Sequence, residues 1–269
     1  MVMLNLKTCF SPQEAPRMRV DIVEKKYGER PALRNIHVTF PKGQTTLIIG
    51  TSGAGKSTLI KCMIGTTSFN GKITDYKPEE IVYIPQHPAL NDRETAQEAV
   101  YWSALFSRLY PQSRINSVVT DYIRTMGLES VKDNEIRRLS GGQKQRVSIA
   151  KELIRKKSII IADEIDTGLD CGVSRDLVQK LCGITKSEKK TTVIVSHNIV
   201  NIELYDQVVV LVKSSSKCGG IAYAGIPRNI RSFFEVNDYV DILSRVNAAD
   251  EGGRGEADRF IRKFASYHR

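Results

Sequence analysis

One octapeptide constrains the fold of this chain more than any other segment. The run Gly50-Thr51-Ser52-Gly53-Ala54-Gly55-Lys56-Ser57 fits the pattern G-x-x-x-x-G-K-[ST]. It follows a short β-prone apolar run at 45–49 and precedes a stretch without helix breakers at 57–64. Glycines let the backbone curl so that successive N–H groups, and the N-terminus of the next helix, face one phosphate group. The segment therefore predicts a phosphate-binding loop between a buried strand and a helix.

The residues of this loop have separate expected roles. Lys56 would reach the β- and γ-phosphates of a nucleotide, and the hydroxyl of Ser57 would bind Mg²⁺. The expected nucleotide contacts from this segment are Gly50, Thr51, Ser52, Gly53, Ala54, Gly55, Lys56, Ser57 and Thr58.

A second strand supplies acidic side chains. Residues 158–162 are mostly apolar and are followed by Asp163 and Glu164. Acids at the end of a buried strand are costly unless they are functional or paired, although a strand that simply emerges into solvent is an alternative. Beside a phosphate-binding loop, Asp163 would coordinate Mg²⁺ directly or through water, and Glu164 would polarise the attacking water. Together these residues predict Mg²⁺-dependent hydrolysis of a nucleoside triphosphate.

Apolar runs and helical stretches alternate along much of the chain. Buried-strand candidates at 81–84, 158–162, 191–196 and 207–212 are interleaved with helical stretches at 97–109, 116–126, 142–155 and 173–181. This alternation predicts an α/β fold with a doubly wound, mainly parallel sheet. Segments 18–23 and 36–40 alternate apolar and polar residues, as half-exposed strands do. Residues 88–150 are mostly helical and interrupt the alternation, which predicts an inserted helical subdomain.

A third motif is Leu139-Ser140-Gly141-Gly142-Gln143. Its serine and glycines would open a helix, and this makes a second N-terminus suited to an anion. One nucleotide does not need two such helix ends from one chain. The motif closely resembles the signature of ATP-binding cassette (ABC) ATPases. In that family the signature of one subunit faces the γ-phosphate held by the other, so Ser140, Gly141, Gly142 and Gln143 are expected nucleotide contacts across a dimer.

The resemblance extends over roughly residues 18–235 and implies further site residues. Gln86 resembles the glutamine that senses Mg²⁺ and connects to the membrane partner, and His197 resembles the histidine that contacts the γ-phosphate. Asp170 resembles the aspartate that communicates across the dimer. Tyr27 is a candidate for stacking on adenine, although an aromatic residue at a strand end is often only a packing residue. Ile165 and Asp166 depart from the family, which usually has proline and a small hydroxyl residue there; Asp166 could raise neighbouring carboxylate pKa values or face away.

The implied architecture is that of a P-loop NTPase. It comprises a RecA-like, mainly parallel sheet, an antiparallel N-terminal β-subdomain and the inserted α-helical subdomain. The expected organisation is an N-terminal extension at 1–16, a cassette at 17–236 that contains the helical subdomain at 88–150, and a helical tail at 237–269. On the tail, Phe260, Ile261 and Phe264 form a small apolar face, which would pack on the cassette or dock to a partner.

Several ABC functions remain open at this stage. Long coiled-coil insertions and a second cassette are not found, which disfavours the repair and translation types. A transporter subunit remains, with ATP and Mg²⁺ as ligands and a second cassette and a separate transmembrane permease as partners. The alternative is an ATPase on a soluble scaffold, as in iron–sulfur assembly. Residues 95–104, 220–225 and 232–234 look like G-type exporters, which suggests export.

Charge and cysteine content exclude other classes. The net charge of +10 could indicate nucleic acid, an anionic membrane or phosphate ligands. The basic residues are scattered, however, so we expect solvated surface and no nucleic-acid partner. Five widely spaced cysteines without a C-x-x-C pair predict neither zinc nor disulfides. With no run of ~20 apolar residues, we expect a cytoplasmic protein, peripheral on the cytoplasmic face of a membrane.

Overall fold

Within residues 18–267, the part of the chain that the computed structural model describes, nine strands form one mixed sheet. The expected extension at 1–16 lies outside the described residues. The strands are β1 (Met18–Tyr27), β2 (Arg30–Phe40), β3 (Thr45–Gly50), β4 (Asn70–Thr74), β5 (Ile81–Ile84), β6 (Ile159–Asp163), β7 (Thr191–Val195), β8 (Gln207–Lys213) and β9 (Gly219–Gly225). Their order across the sheet is β4-β1-β2-β9-β8-β3-β7-β6-β5.

The strands β8, β3, β7, β6 and β5 pair in parallel and form the centre of the fold. They are short runs rich in valine and isoleucine, as expected for strands covered on both faces. In β3, Leu47 and Ile49 pack into the core on one face, and Ile48 packs into the core on the other. This arrangement confirms the predicted α/β fold with a mainly parallel sheet.

The remaining strands form an antiparallel part of the same sheet. Strand β1 pairs antiparallel with both β2 and β4, and β9 pairs antiparallel with β8. This part meets the parallel strands where β9 pairs with β8, and within it β2 lies parallel to β9 with the single residue pair Leu33 and Gly219. The predicted antiparallel N-terminal β-subdomain is therefore present.

Helices cover both faces of the sheet. They are α1 (Lys56–Met63), α2 (Ala96–Ser107), α3 (Gln112–Thr125), α4 (Gly141–Leu153), α5 (Cys171–Ser187), α6 (Pro227–Phe234), α7 (Val240–Val246) and α8 (Ala257–Tyr267). Between β5 and β6, helices α2, α3 and α4 pack against one another. The apolar stripe of α3, formed by Ile115, Val119 and Ile123, is buried at four-residue spacing.

The C-terminal helices pack on the same domain. Helix α8 lies against β9, and a Cβ atom on Gly220 would be 3.0 Å from Cδ1 of Ile261. The ring centroids of Phe234 and Phe260 are 4.7 Å apart, and Phe260 is fully buried. Packing on the cassette, rather than docking, therefore accounts for Phe260. Among the described residues, no helix is both long enough and apolar enough to cross a membrane.

Candidate functional site

The phosphate-binding loop follows β3 at the carboxyl edge of the parallel strands. Gly53 and Gly55 have φ values of +67° and +91°, which side-chain-bearing residues rarely adopt. Close packing requires glycine elsewhere, because a Cβ atom on Gly50 would lie 1.8 Å from the carbonyl oxygen of Leu211. Helix α1 begins at Lys56 directly after the loop. The segment thus forms the predicted strand–loop–helix unit, with the helix N-terminus at the loop.

Lys56 is a buried cation inside this loop, with 7% of its surface exposed. Its Nζ atom donates hydrogen bonds to the carbonyl oxygens of Gly50 (2.9 Å) and Thr51 (3.1 Å). Burial lowers the pKa of Lys56, whereas the nearby charges of Glu164 and Asp163 raise it. A buried ammonium group beside a loop of backbone N–H groups fits a phosphate ligand.

Asp163 ends β6 next to this loop. Tyr83, on the adjacent strand β5, donates a hydrogen bond from its hydroxyl to Oδ2 of Asp163 at 3.2 Å. Burial raises the pKa of Asp163, and the hydrogen bond from Tyr83 opposes that rise. Burial and the nearby Asp163 raise the pKa of Tyr83 to about 12. The hydroxyl of Tyr83 therefore remains protonated and orients the carboxylate.

Glu164 brings together two other predicted site residues. Nε2 of Gln86 donates to Oε2 of Glu164 at 2.7 Å, and Nε2 of His197 lies 2.8 Å from Oε1. The backbone of Glu164 has φ +47°, a conformation that is unfavourable for a residue with a Cβ atom. Three segments far apart in sequence thus converge on one carboxylate beside the phosphate-binding loop.

Asp166 faces inward from the turn that follows Glu164. Its Oδ2 accepts a hydrogen bond of 2.7 Å from the hydroxyl of Ser196, the residue before His197. Burial raises the pKa of Asp166, and the hydrogen bond from Ser196 opposes that rise. The sequence left two possibilities for Asp166. The structure agrees with the second, because the side chain faces away from the open side of the site.

Ser140 and Gln143 form the N-terminal cap of α4. The Ser140 hydroxyl accepts from the N–H of Gln143 at 3.3 Å, and the Gln143 side chain accepts from the N–H of Ser140 at 2.9 Å. A Cβ atom on Gly141 would meet open space, whereas one on Gly142 would be 3.1 Å from Leu169. Within residues 18–267, no hydrogen bond or ion pair joins 140–143 to the loop at 50–58. The structure therefore does not bring the third motif to the phosphate-binding loop of the same chain.

Asp170 lies in the exposed segment before α5. Its Oδ1 accepts from the N–H of Val173 at 2.9 Å, so its side chain caps this helix. Within the part of the chain that the structure describes, no hydrogen bond joins Asp170 to Lys56 or to Glu164.

Tyr27 ends β1 and remains 48% exposed. Lys25 is buried and places its Nζ atom 4.5 Å from the centroid of the Tyr27 ring. The same Nζ atom donates to Oγ1 of Thr67 at 2.6 Å and to the carbonyl oxygen of Ser68 at 2.7 Å. The ammonium group of Lys25 therefore supports one face of the Tyr27 ring. The segment after α1 in turn holds that ammonium group in place. Sequence reasoning missed Lys25, because a lysine in a half-exposed strand is usually solvated.

An Mg²⁺ ion would need ligands from the substrate as well as from the protein. In the described part of the chain, no cluster of three or more histidine, cysteine, aspartate or glutamate residues could hold a metal. Ser57, Gln86 and Asp163 supply only oxygen donors from side chains, the type that Mg²⁺ prefers when phosphate oxygens complete its coordination. This donor set fits an ion that binds together with a nucleoside triphosphate.

A groove lies on the helical subdomain. It has a volume of about 450 Å³, and we call it the α2 groove; its lining residues are Ala89, Asn91, Glu94, Ala99, Trp102, Ser103, Phe106, Ser107, Lys151 and Arg155. The rings of Trp102 and Phe106 stack at 6.1 Å, and Phe106 is 76% exposed. Exposed stacked aromatic rings on a helix are typical of a surface that binds another protein.

Comparison with known proteins agrees with this geometry. A family model described as ABC transporter matches residues 33–167. A manganese transport system ATP-binding protein from Halalkalibacterium halodurans is 30% identical over 234 residues, which are 82% of this chain and 93% of the relative. A zinc import ATP-binding protein from Rickettsia conorii is 30% identical over 82% of this chain and 91% of its own length.

A solved structure shares the fold. CbiO1 from Clostridium perfringens, described as part of an ABC transporter complex, superposes with a TM-score of 0.71. It is 25% identical in sequence, and the match covers 87% of this chain and 96% of that one.

Proposed function

This chain belongs to the ABC transporter family and is an ATPase of that class, and from this premise we propose how its residues bind ATP, hydrolyse it and drive transport. The observation that carries the proposal is the convergence of Gln86 and His197 on Glu164, beside the loop that contains buried Lys56. The ligand is ATP, and its triphosphate would bind the N–H groups of 50–58. Lys56 would exchange its contacts with its own loop carbonyls for phosphate oxygens.

Ser57, Gln86 and Asp163 are the side chains that we propose to hold Mg²⁺. When bound, the ion would neutralise negative charge on the phosphate oxygens. The hydroxyl of Tyr83 would keep Asp163 oriented, as it does in this structure. Tyr27 would stack on the adenine ring, because it is the exposed aromatic residue supported by Lys25.

Glu164 is the residue that we propose to polarise the attacking water. Its two carboxylate oxygens are held by different partners, one by Gln86 and one by His197. Movement of Gln86 toward the nucleotide would free one oxygen to accept a proton from water, while His197 retained the other. His197 would then stand at the position from which it can also contact the γ-phosphate.

The second phosphate-binding half would come from another cassette. The helix start at 140–143 is capped, carries Gly141 next to open space and has no described bond to the phosphate-binding loop of its own chain. We therefore propose head-to-tail dimers in which two ATP molecules lie between 50–58 of one chain and 140–143 of the other. Asp170, in the exposed segment between Leu169 and α5, would contact the partner.

The α2 groove supports a membrane subunit as partner. Its lining includes Ala89, which follows Gln86 closely in the chain, so an element bound in it would act on the site of hydrolysis through this segment. A separate permease would place this chain at the cytoplasmic face of a membrane. Relatives whose names are those of manganese transport and zinc import systems favour this partner over the alternative of a soluble scaffold. Relatives whose names state a direction import zinc, spermidine and putrescine, or phosphonates, so import is better supported than the export expected from the sequence.

Substitution of Glu164 by glutamine tests this proposal. Glu164→Gln keeps the side-chain shape but removes the proton acceptor, so hydrolysis should fall by about 100-fold or more while ATP binding persists. Size-exclusion chromatography with saturating ATP should then show a dimer, whereas Glu164→Gln combined with Lys56→Ala should remain monomeric.

The matched control is Glu129→Gln, which removes an exposed glutamate away from the site. It should hydrolyse ATP at the original rate and show no trapped dimer. A Glu164→Gln variant that binds ATP and stays monomeric would remove head-to-tail closure from the proposal, and one that keeps hydrolysing ATP would remove Glu164 as the base.

A further inference from the structure

The N–H of Glu164 donates to the carbonyl oxygen of Val195 at 2.8 Å, and side chains join the turn at 164–166 to the end of β7 at two further places. On the open side of the site, the side chains of Glu164 and His197 lie 2.8 Å apart. Beneath them, Oδ2 of Asp166 accepts a hydrogen bond of 2.7 Å from the hydroxyl of Ser196. The first contact is partly exposed, whereas Asp166 is only 7% exposed and Ser196 is fully buried. The buried link thus lies directly behind the reactive one.

Ser196 transmits this link to the backbone on both sides of His197. Its hydroxyl donates to Asp166 and accepts a hydrogen bond of 2.8 Å from the N–H of Asn198. Its own N–H donates to the carbonyl oxygen of Ile48 in β3 at 3.1 Å. Hydrogen bonds thus hold the residues on both sides of His197, because Ser196 is bound to β3 and Asn198 is bound to Ser196.

The backbone of the turn needs such a restraint. Glu164 has φ +47°, and strained conformations of this kind persist only where their surroundings hold them. At position 165 the ABC family usually has proline, whose ring would fix one backbone dihedral angle and restrict the residue before it. Here residue 165 is a buried isoleucine, which supplies packing but neither of those restrictions. The turn is restrained instead by hydrogen bonds, from the N–H of Glu164 to Val195 in the backbone and from Ser196 to the side chain of Asp166.

We propose that Asp166 is a positioning residue that, through Ser196, holds Glu164 and His197 in contact. The inference rests on the proposed roles of those two residues in hydrolysis. Within residues 18–267, no ion pair includes Asp166, so its carboxyl group is buried without a basic partner. Such burial lowers the free energy of unfolding. Residues that lower stability in this way are expected at positions where the geometry of a functional site requires that residue type.

Four variants of the full-length chain test the proposal: Asp166→Ala, Asp166→Asn, Ser196→Ala and the double variant Asp166→Ala with Ser196→Ala. Removal of the link should lower kcat for ATP hydrolysis by about tenfold, because Glu164 and His197 would lose their mutual alignment. The dissociation constant for ATP should change by less than about twofold, since Lys56 and its loop are untouched.

Two comparisons separate positioning from a general loss of structure. An amide oxygen can still accept the hydrogen bond from Ser196, so Asp166→Asn should restore kcat to within about threefold of the original value. Ser196→Ala already breaks the bond that Asp166→Ala removes, and it also breaks the one from Asn198, so the double variant should resemble Ser196→Ala rather than show the product of both effects. Thr185→Ala is the matched control, since it removes a buried hydroxyl contact with Thr192, which lies at the opposite end of β7 from Ser196. It should lower the melting temperature and leave kcat unchanged.

The proposal fails if Asp166→Ala lowers the melting temperature but leaves kcat of the folded protein unchanged. It also fails if the effects of Asp166→Ala and Ser196→Ala multiply, or if ATP affinity falls as much as kcat. These results differ from failure of the proposed function, which would appear as ATP hydrolysis by Glu164→Gln. Loss of hydrolysis in Glu164→Gln together with normal hydrolysis in Asp166→Ala would overturn this inference alone.

Discussion

The buried cation of Lys25 supports the exposed ring of Tyr27. The Nζ atom of Lys25 lies 4.5 Å from the ring centroid and is fixed by Thr67 and Ser68. Thr67 and Ser68 belong to the segment after α1, the helix that begins at the phosphate-binding loop. The surface proposed for adenine and the surface proposed for phosphate are therefore connected through one side chain.

Lys25→Met should weaken ATP binding. The substitution keeps the length of the side chain and removes both its hydrogen bonds and its contact with the ring, so the Kd for ATP should rise by about three- to tenfold. Binding of inorganic triphosphate, which has no base to stack, should be unaffected. Titration calorimetry with both ligands measures the difference.

Lys26→Met is the control, because the side chain of Lys26 pairs with Glu24 at the surface, whereas it is Lys25 that lies over the Tyr27 ring. Equal weakening of ATP and triphosphate binding by Lys25→Met would contradict a role at the base and would place the effect on the loop instead.

The residues that the sequence identified carry their chemistry in their own side chains. Lys56, Asp163, Glu164 and His197 stand at the ends of predicted strands or in a motif with fixed spacing. Lys25 and Ser196 could not be found in this way, because their importance comes from contacts with residues 42 and 30 positions away. The left-handed backbone of Glu164 is likewise set by the turn and its neighbours rather than by the residue type.

At the scale of elements, predictions from periodicity succeeded where the apolar pattern was strong. The four residues of β5 (Ile81–Ile84) were predicted with the bounds that the structure has. Strand β4 (Asn70–Thr74) was not predicted, because it is an edge strand that begins Asn-Gly-Lys and has low β-propensity. It forms since Gly71 allows close approach to β1; a Cβ atom there would lie 2.1 Å from the carbonyl oxygen of Asp21.

Helix α8 should contribute strongly to stability through Phe260. Its ring packs against those of Phe233 and Phe234 within the core, so Phe260→Ala should lower the free energy of unfolding by about 3–5 kcal/mol. Tyr267→Ala, at the half-exposed end of the same helix, should cost less than about 1 kcal/mol. Urea unfolding followed by circular dichroism compares the two. Similar costs for both would show that α8 does not complete the core.

At the scale of the whole molecule, the sequence predicted the fold more completely than it predicted the surfaces. Buried apolar runs alternate with helical stretches along the chain, and this alternation implied the mainly parallel sheet that the structure has. The α2 groove could not be predicted, because it depends on how the end of α4 and residues 89–94 pack beside α2.

Loss of the stacked rings in the α2 groove should separate assembly from catalysis. The double variant Trp102→Ala with Phe106→Ala removes apolar surface that we propose to bind the membrane subunit, so the fraction of chain bound to native membranes should fall by about tenfold or more. Hydrolysis by the purified chain should be unchanged.

Val240→Ala, which truncates another exposed apolar side chain, is the control and should bind membranes normally. Sedimentation with membrane vesicles, followed by an ATPase assay, measures both properties. Unchanged membrane binding by the double variant would remove the groove as the docking site.

The junction of Leu33 with Gly219 gives the molecule a thermodynamic property of its own. By strand pairing, this single residue pair joins β2, the neighbour of the strand that carries Tyr27, to β9, while apolar side chains from both parts of the sheet share one core. A nucleotide with its base on Tyr27 and its phosphates on the loop would span this junction. By mass action, a ligand that binds only the joined state stabilises it by RT ln(1 + [L]/Kd). The integrity of the sheet would then vary with the concentration of ATP, and the substrate would act as a reversible structural component of the enzyme.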